Sequence, residues 1–220
     1  MAIPKVIYQT FKNKDLPFIT RWHIKKFLKN NPEYNYEFYD DARIEEFFKD
    51  NFDEEWFKAY HKLNIGAAKA DFFRYAILYK KGGIYVDIDS GIKGKLKEFI
   101  KENDDAIISR EGNEGLYVQW ALVFAAGHPF LEKALSIVKE NIDKNLYPHD
   151  VHRMTGPTAF TEAVNFCIES DEKISYRILG VDYEGHLLFK YKLGKFFLYK
   201  EGDHWKKQQL TKPVLKNINQ

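Results

Sequence analysis

The chain has 220 residues, 45% of them hydrophobic and 30% charged, with a net charge of +2. That supplies enough apolar material for one good core, so a single domain over residues 1–220 is expected. The small net charge argues against a nucleic-acid partner, and the lone Cys167 excludes an internal disulfide.

In chain order, Lys5 to Gln9 reads as an apolar strand, followed by a loop from Asn13 to Pro17 and a helix from about Ile19 to Lys29. Asn31-Pro32 stops that helix, and Tyr36 to Tyr39 makes a second strand ending in Asp40-Asp41. Ala42 to Tyr60 carries helical periodicity broken near Asn51. Ala67 to Lys80 is rich in helix formers and free of Gly and Pro, with Ala70, Phe73 and Ile77 along one stripe and Phe72, Ala76 and Tyr79 beside it. This helix should end at Lys81, with Gly82 as the left-handed residue that closes it. Ile84 to Ile88 then reads as a strand, and Ala106 to Ser109 and Tyr117 to Phe124 as two more. Pro129 opens a helix to about Ile142, and Thr158 to Glu169 forms another. Tyr176 to Tyr199 suggests short strands around Gly180, Gly185 and Gly194. Such alternation of strands and helices predicts an α/β layered sheet with its ligand site at the carboxyl ends of strands.

The most informative residues are Asp87 and Asp89, in Gly82-Gly83-Ile84-Tyr85-Val86-Asp87-Ile88-Asp89-Ser90. On a continuous strand Tyr85, Asp87 and Asp89 would share one face. Two carboxylates held that close require a cation, and hard oxygen ligands suit Mg²⁺ or Mn²⁺ completed by a phosphorylated ligand. Asp71 and Arg74 are three apart on an apolar helix. They form either a surface ion pair or, given their apolar flanks, charges placed for a polar ligand. The Gly-rich dinucleotide fingerprint is absent, and Ser90-Gly-Ile-Lys-Gly94 lacks the spacing of a phosphate loop.

The run from Lys69 to Ser90 resembles the D-x-D glycosyltransferases of family 32, nearest to the fungal initiation-specific α-1,6-mannosyltransferases and their bacterial and viral relatives. Three more stretches agree in order: Ile3 to Phe11 is similar to the family's first strand, Gln119 to Phe130 to its mid-chain motif, and Thr155-Gly156-Pro157 to its late motif. The resemblance implies a GT-A-type nucleotide-sugar-binding fold with a central mixed sheet flanked by helices. It implies a metal-dependent retaining transfer of a hexose, mannose first and galactose or glucose next, forming an α-linkage. The donor would be GDP-mannose or a UDP-hexose, and the acceptor a glycan or a lipid-linked molecule. Catalytic roles fall on Asp71, Asp87 and Asp89, and nucleotide-sugar binding on Tyr8, Gln9, Thr10, Asp71, Arg74 and Asp87. Asp89, Asp87 and His204 are the expected ligands of Mn²⁺ or Mg²⁺, with Trp205 as a lid. Asp40 and Asp41 would meet the base or ribose or lie in a surface turn, and His128 is expected to be structural. No nucleophile stands out; a front-face reaction, in which the leaving phosphate helps deprotonate the acceptor, needs none.

Two other classes fit parts of the pattern: a metal-dependent nucleotidyl or phosphoryl transferase, and an inactive sugar-nucleotide-binding domain. The first calls for more basic residues by the acids than Lys93 and Lys95 supply, and the intact Asp71, Arg74, Asp87 and Asp89 set argues against the second. Met1-Ala-Ile-Pro-Lys5 lacks a signal-peptide pattern and no apolar run approaches the ~18 residues that span a bilayer, so a cytoplasmic protein of prokaryotic or viral type is expected. Lys190 to Lys200 interleaves Lys and Tyr with Phe196 and Phe197. It reads first as an amphipathic strand pair and second as a patch for weak contact with the inner face of a membrane.

Overall fold

The structure is a computed structural model that describes residues 2–170, 173–191, 198 and 205–216. Its centre is a six-stranded mixed sheet in the order β2-β1-β3-β6-β5-β7. The strands are β1 (Val6–Thr10), β2 (Asn35–Tyr39), β3 (Gly83–Val86), β5 (Ala106–Arg110), β6 (Ala121–Phe124) and β7 (Arg177–Val181). β1 runs parallel to both β2 and β3, whereas β6 is antiparallel to β3 and β5. A separate pair, β4 (Gly91–Ile92) with β8 (Leu187–Leu188), lies outside this sheet.

Strand alternation sends residues into two cores. Tyr8 and Tyr85 enter one with Phe48, Phe72 and Phe160, while Ile7, Ile84 and Val86 enter the other with Ile24, Phe27 and Tyr183. The first core is covered by α2 (Asp41–Asn51), α3 (Glu54–Lys62), α4 (Gly66–Lys81), α5 (Pro129–Asp143), α6 (Val151–Met154) and α7 (Pro157–Glu169). α1 (Phe18–Asn30) covers part of the second, burying Thr20, Ile24 and Phe27. α8 (Trp205–Thr211) completes the described elements. The break expected near Asn51 falls at Asp53, whose carboxylate accepts from the Glu55 and Trp56 amides and starts α3 as an N-cap.

Three expectations are corrected. α4 is not amphipathic along a stripe, because every residue from Asp71 to Leu78 is buried. The sheet covers one side of it and α5 and α6 pack on others. The strand predicted over Ile84 to Ile88 ends at Val86, and Asp87 to Ser90 makes a turn closed by the Ser90 amide on the Asp87 carbonyl at 2.9 Å. The strand predicted from Tyr117 begins only at Ala121, with Tyr117 held to Arg110 by an isolated bridge. Gly180 does lie in a strand, while Gly185 closes a 3-10 turn (Asp182–Gly185); Gly194 lies outside the described residues. Among the described residues no helix is long and apolar enough to cross a membrane.

The link between α4 and β3 depends on Gly82 and Gly83, at φ +63° and +114°. A Cβ on Gly83 would stand 2.8 Å from the Val6 carbonyl oxygen, against the parallel neighbour β1. Gly83→Ala is therefore expected to lower stability by about 3 kcal/mol, combining an unfavourable φ with a backbone clash. Urea unfolding followed by far-UV circular dichroism measures the loss, and a midpoint equal to that of the parent chain would refute the close approach.

Candidate active site

A cavity of about 670 Å³ opens at the carboxyl ends of β1 and β3. Thr10, Phe11 and Lys12 line it from the end of β1, and Asp41 and Ile44 from the start of α2. Asp71 and Arg74 enter from α4, and Tyr85, Asp87 and Asp89 from β3 and the turn after it. Gln119, Trp120, Glu111, His152, Pro157 and Trp205 close the far side. Parallel strands that stop together leave such a crevice, and it is the usual ligand position in α/β sheets.

Arg74 organises the floor of the cavity at 3% exposure. Its Nη1 donates to the Gln119 carbonyl and Oε1, both at 2.7 Å. Its Nη2 reaches Asp87 Oδ1 at 2.8 Å and Asp71 Oδ1 at 3.3 Å. The guanidinium is therefore engaged with the protein, whereas the sequence reading pointed it at the ligand. Burial pulls its pKa down, but Asp87, Tyr85 and Asp71 more than offset that and the group stays charged.

Asp71 is fixed from three sides. Besides Arg74, Gln119 Nε2 donates to its Oδ1 at 2.9 Å and Thr155 Oγ1 to its Oδ2 at 2.9 Å. Gln119 Nε2 also lies 2.8 Å from the Tyr75 hydroxyl, which itself donates to the Thr155 carbonyl at 3.0 Å. The Thr-Gly-Pro stretch thus holds Asp71 through Thr155 and starts α7 with Gly156 as N-cap and Pro157 after it. Sequence reasoning missed Gln119, Tyr75 and Thr155 as parts of the site. Gln119 and Thr155 signalled only as two short motifs, Gln-Trp and Thr-Gly-Pro, far from the aspartates in the chain, and Tyr75 reads as one more apolar-face residue of α4.

Asp87 is more open than Asp71 and Asp89, its side chain 29% exposed. Arg74 and the Tyr85 hydroxyl, at 3.0 Å, both reach Oδ1. Burial pushes its carboxyl up to about 6; Arg74 opposes the rise, and Asp89 and Asp71 add to it. Asp89 follows two residues later, with Lys190 Nζ 4.0 Å from its Oδ2 and its carbonyl accepting the Tyr191 amide at 3.1 Å. The two acids meet through a turn, and not through the strand alternation expected from the sequence.

The end of β1 divides its predicted residues. Tyr8 is a core residue beside Tyr39 and does not line the cavity. Gln9 is fully buried; it donates to the Asp87 carbonyl at 3.0 Å and accepts from the Tyr36 hydroxyl at 3.1 Å, so it supports the D-x-D turn from behind. Only Thr10 reaches the cavity, its hydroxyl held on the Tyr39 carbonyl at 2.8 Å. Asp40 caps α2 through the Arg43 amide, and Asp41 lines the cavity with its pKa raised by burial. Lys93 and Lys95 do not line it.

His128 is structural as expected, capping α5 through the Phe130 amide. His152, which carried no spacing signal, lines the cavity and packs on Trp205 at 5.0 Å between ring centroids. His204, the expected third metal ligand, lies outside the described residues, as does most of the Lys190 to Lys200 stretch. Among the described residues no group of three metal-ligating side chains occurs. Asp87 and Asp89 still suit Mg²⁺ or Mn²⁺, which bind through one or two carboxylates and take remaining ligands from water and phosphate. Trp120 lines the same cavity, and its Nε1 is buried without a partner among the described residues.

Residues 19–110 match the family model described as a glycosyltransferase sugar-binding region containing a DXD motif. An uncharacterized glycosyltransferase of Acanthamoeba polyphaga mimivirus is 40% identical over 100 residues, covering 44% of this chain and 40% of that protein. Inositol phosphoceramide mannosyltransferase 3 of Schizosaccharomyces pombe is 34% identical over 131 residues, 59% of this chain and 35% of that one. The initiation-specific alpha-1,6-mannosyltransferase of the same yeast is 29% identical, with 74% and 48% covered. The matches therefore span about a third to a half of these relatives' lengths. Among solved structures, the PaToxG glycosyltransferase superposes with a TM-score of 0.63 at 21% identity, over 76% of this chain and 70% of that one, which establishes a shared fold.

The raised Asp87 pKa carries a sign that can be tested without any ligand. Unfolded, the group titrates near the ordinary carboxylate value, about 3.9. Folded and metal-free, it holds its proton up to about pH 6. Its ionisation therefore costs the folded state stability progressively as pH rises through that window, and the full cost persists above it. Asp87→Asn should match the parent in stability near about pH 3.5 and exceed it above about pH 6. Urea melts across the range in a chelator check this; an advantage that shrinks with rising pH would contradict the assignment.

Proposed function

We propose that this chain, which in residues 19–110 belongs to the D-x-D glycosyltransferases, transfers a hexose from a nucleoside diphosphate sugar to a hydroxyl acceptor with the α configuration retained. The observation that carries the reading is the convergence of Asp71, Asp87 and Asp89 in one cavity at the strand ends, two of them fixed by a single buried arginine.

The nucleoside would lie toward Thr10, Phe11, Asp41 and Ile44, with the diphosphate over the D-x-D turn beside Lys190. Asp87 and Asp89 would hold Mn²⁺ or Mg²⁺. When bound, the cation neutralises charge gathering on the leaving diphosphate. Asp71 cannot swing, because three donors hold its carboxylate. It presents a fixed acceptor for donor-sugar hydroxyls, and that rigidity aligns the anomeric carbon for attack. Lys190 adds positive charge where the leaving group departs. The acceptor, a glycan or a lipid-linked molecule, would enter from the side of Glu111, His152 and Trp205. Mannose is favoured as the transferred sugar by the mannosyltransferases among the relatives, which makes GDP-mannose the first donor to test and UDP-galactose and UDP-glucose the next.

A thermal-shift panel of GDP, UDP, CDP and ADP, each with and without Mn²⁺, identifies the donor class. A diphosphate at a hundredfold excess over its Kd stabilises the folded chain by about 2.7 kcal/mol. One diphosphate should give a Mn²⁺-dependent shift that Asp89→Ala loses along with turnover. A flat panel, or metal-dependent turnover retained by Asp89→Ala, would sink the reading. Gln119→Leu separates positioning from binding, because it removes a donor from Asp71 and one acceptor from Arg74, while Arg74 keeps Asp87 and the backbone carbonyl of residue 119. It should lower kcat/KM by about a hundredfold while the diphosphate shift survives.

A further inference from the structure

α1 carries a second kind of surface. Its sequence, from Phe18 to Asn30, holds Arg21, Lys25, Lys26 and Lys29 and no acid. At about 100° per residue, Phe18, Trp22, Lys25 and Lys29 fall along one line, with Arg21 and Lys26 on its two flanks. Thr20, Ile24 and Phe27 fall opposite and are buried, so the basic-aromatic line faces outward. Phe18 is 75% exposed and Trp22 45%, large apolar rings that a purely solvated face has no reason to present. The Lys26 ammonium lies 5.2 Å over the Trp22 ring, grouping charge and ring on one patch.

This helix is tied to the cavity by one residue. The Tyr191 hydroxyl donates to Thr20 Oγ1 at 2.8 Å and its ring stacks on His23 at 4.0 Å. The Tyr191 amide donates to the Asp89 carbonyl at 3.1 Å. Phe11 and Lys12, on the approach to α1, line the cavity themselves. α1 therefore packs beside the D-x-D turn through its inner face, which leaves the basic-aromatic line free.

We infer that the Phe18–Lys29 face of α1 docks this protein on an anionic lipid bilayer. Rings at the headgroup level and lysines over anionic lipid are the chemistry that such a helix satisfies, and the absence of any acid within α1 removes opposing charge. The inference is independent of which sugar is transferred, since docking is measured without donor or metal.

The test is co-sedimentation with phosphatidylcholine vesicles, plain or containing phosphatidylglycerol, in rising salt. The parent chain should pellet with the anionic vesicles, stay in solution with the neutral ones, and be released by salt. Phe18→Ser/Trp22→Ser and Lys25→Glu/Lys26→Glu should each weaken partition by about tenfold or more, with unchanged melting midpoints. No binding to anionic vesicles by the parent chain overturns the inference. So does binding by both double variants at the parent level, which would put the contact elsewhere. If the charge reversal abolishes binding, the ring variant binds fully, and a DNA oligonucleotide competes as well as lipid, the face is a general anion patch and the bilayer assignment fails.

Discussion

The Arg74 guanidinium, buried among the Asp71 and Asp87 carboxylates and the two oxygens of Gln119, joins three separate pieces of chain into one site. A guanidinium taken from water is costly unless nearly every donor finds an acceptor, and here α4, the turn after β3 and the segment before β6 each supply one or more. Those segments cannot move independently without stranding charge. A lysine could not replace it, because a single ammonium on a flexible stem cannot span acceptors on three elements in a plane. The rigidity of Asp71 and the placement of Asp87 both follow from this contact.

The same contact places one cation against two acids. Arg74 pairs with Asp71 and Asp87 in the floor, and Lys190 lies 4.0 Å from Asp89. Burial pushes the Asp87 carboxyl up although an arginine touches it, and Asp89 and Asp71 add to the rise. Tyr75 and Tyr85 are driven well above the ordinary phenol range, chiefly by burial, so both remain hydroxyl donors beside the acids. A cavity with excess anionic charge at its base and lysines near its rim suits a metal-bound diphosphate better than a neutral ligand.

The architecture brings this about through where strands stop. β1 and β3 run parallel and end side by side, so Thr10 and Asp87 arrive at the same edge. α4 begins near that edge and returns to β3 through Gly82-Gly83, which sends Asp71 and Arg74 back to the place where Asp87 emerges. Gln9 then braces the turn from the neighbouring strand. The chain closes a loop on itself here, and the D-x-D turn is held at both its flanks.

Much of this was legible in the residues. The helix from Ala67 to Lys81 and its glycine stop follow from helix formers bounded by Gly-Gly, and the Asp71, Arg74, Asp87 and Asp89 set was readable because four charged residues in an apolar stretch are expensive without a purpose. The identity of the acids and the alternation that makes an α/β sheet are local properties, and sequence by itself determined them. Which groups Arg74 touches, that Gln9 braces rather than binds, that Tyr8 is core and that Gln119 and Thr155 lock Asp71 were decided only by the tertiary structure. The bonds from Arg74 to Gln119, from Gln119 and Thr155 to Asp71 and from Gln9 to Asp87 join residues 45 to 84 positions apart, and no periodicity carries information over such a distance. Even the shared direction of Asp87 and Asp89 came from a turn, since the strand ends where its ladder partner β6 ends, at the pairing of Val86 with Ala121.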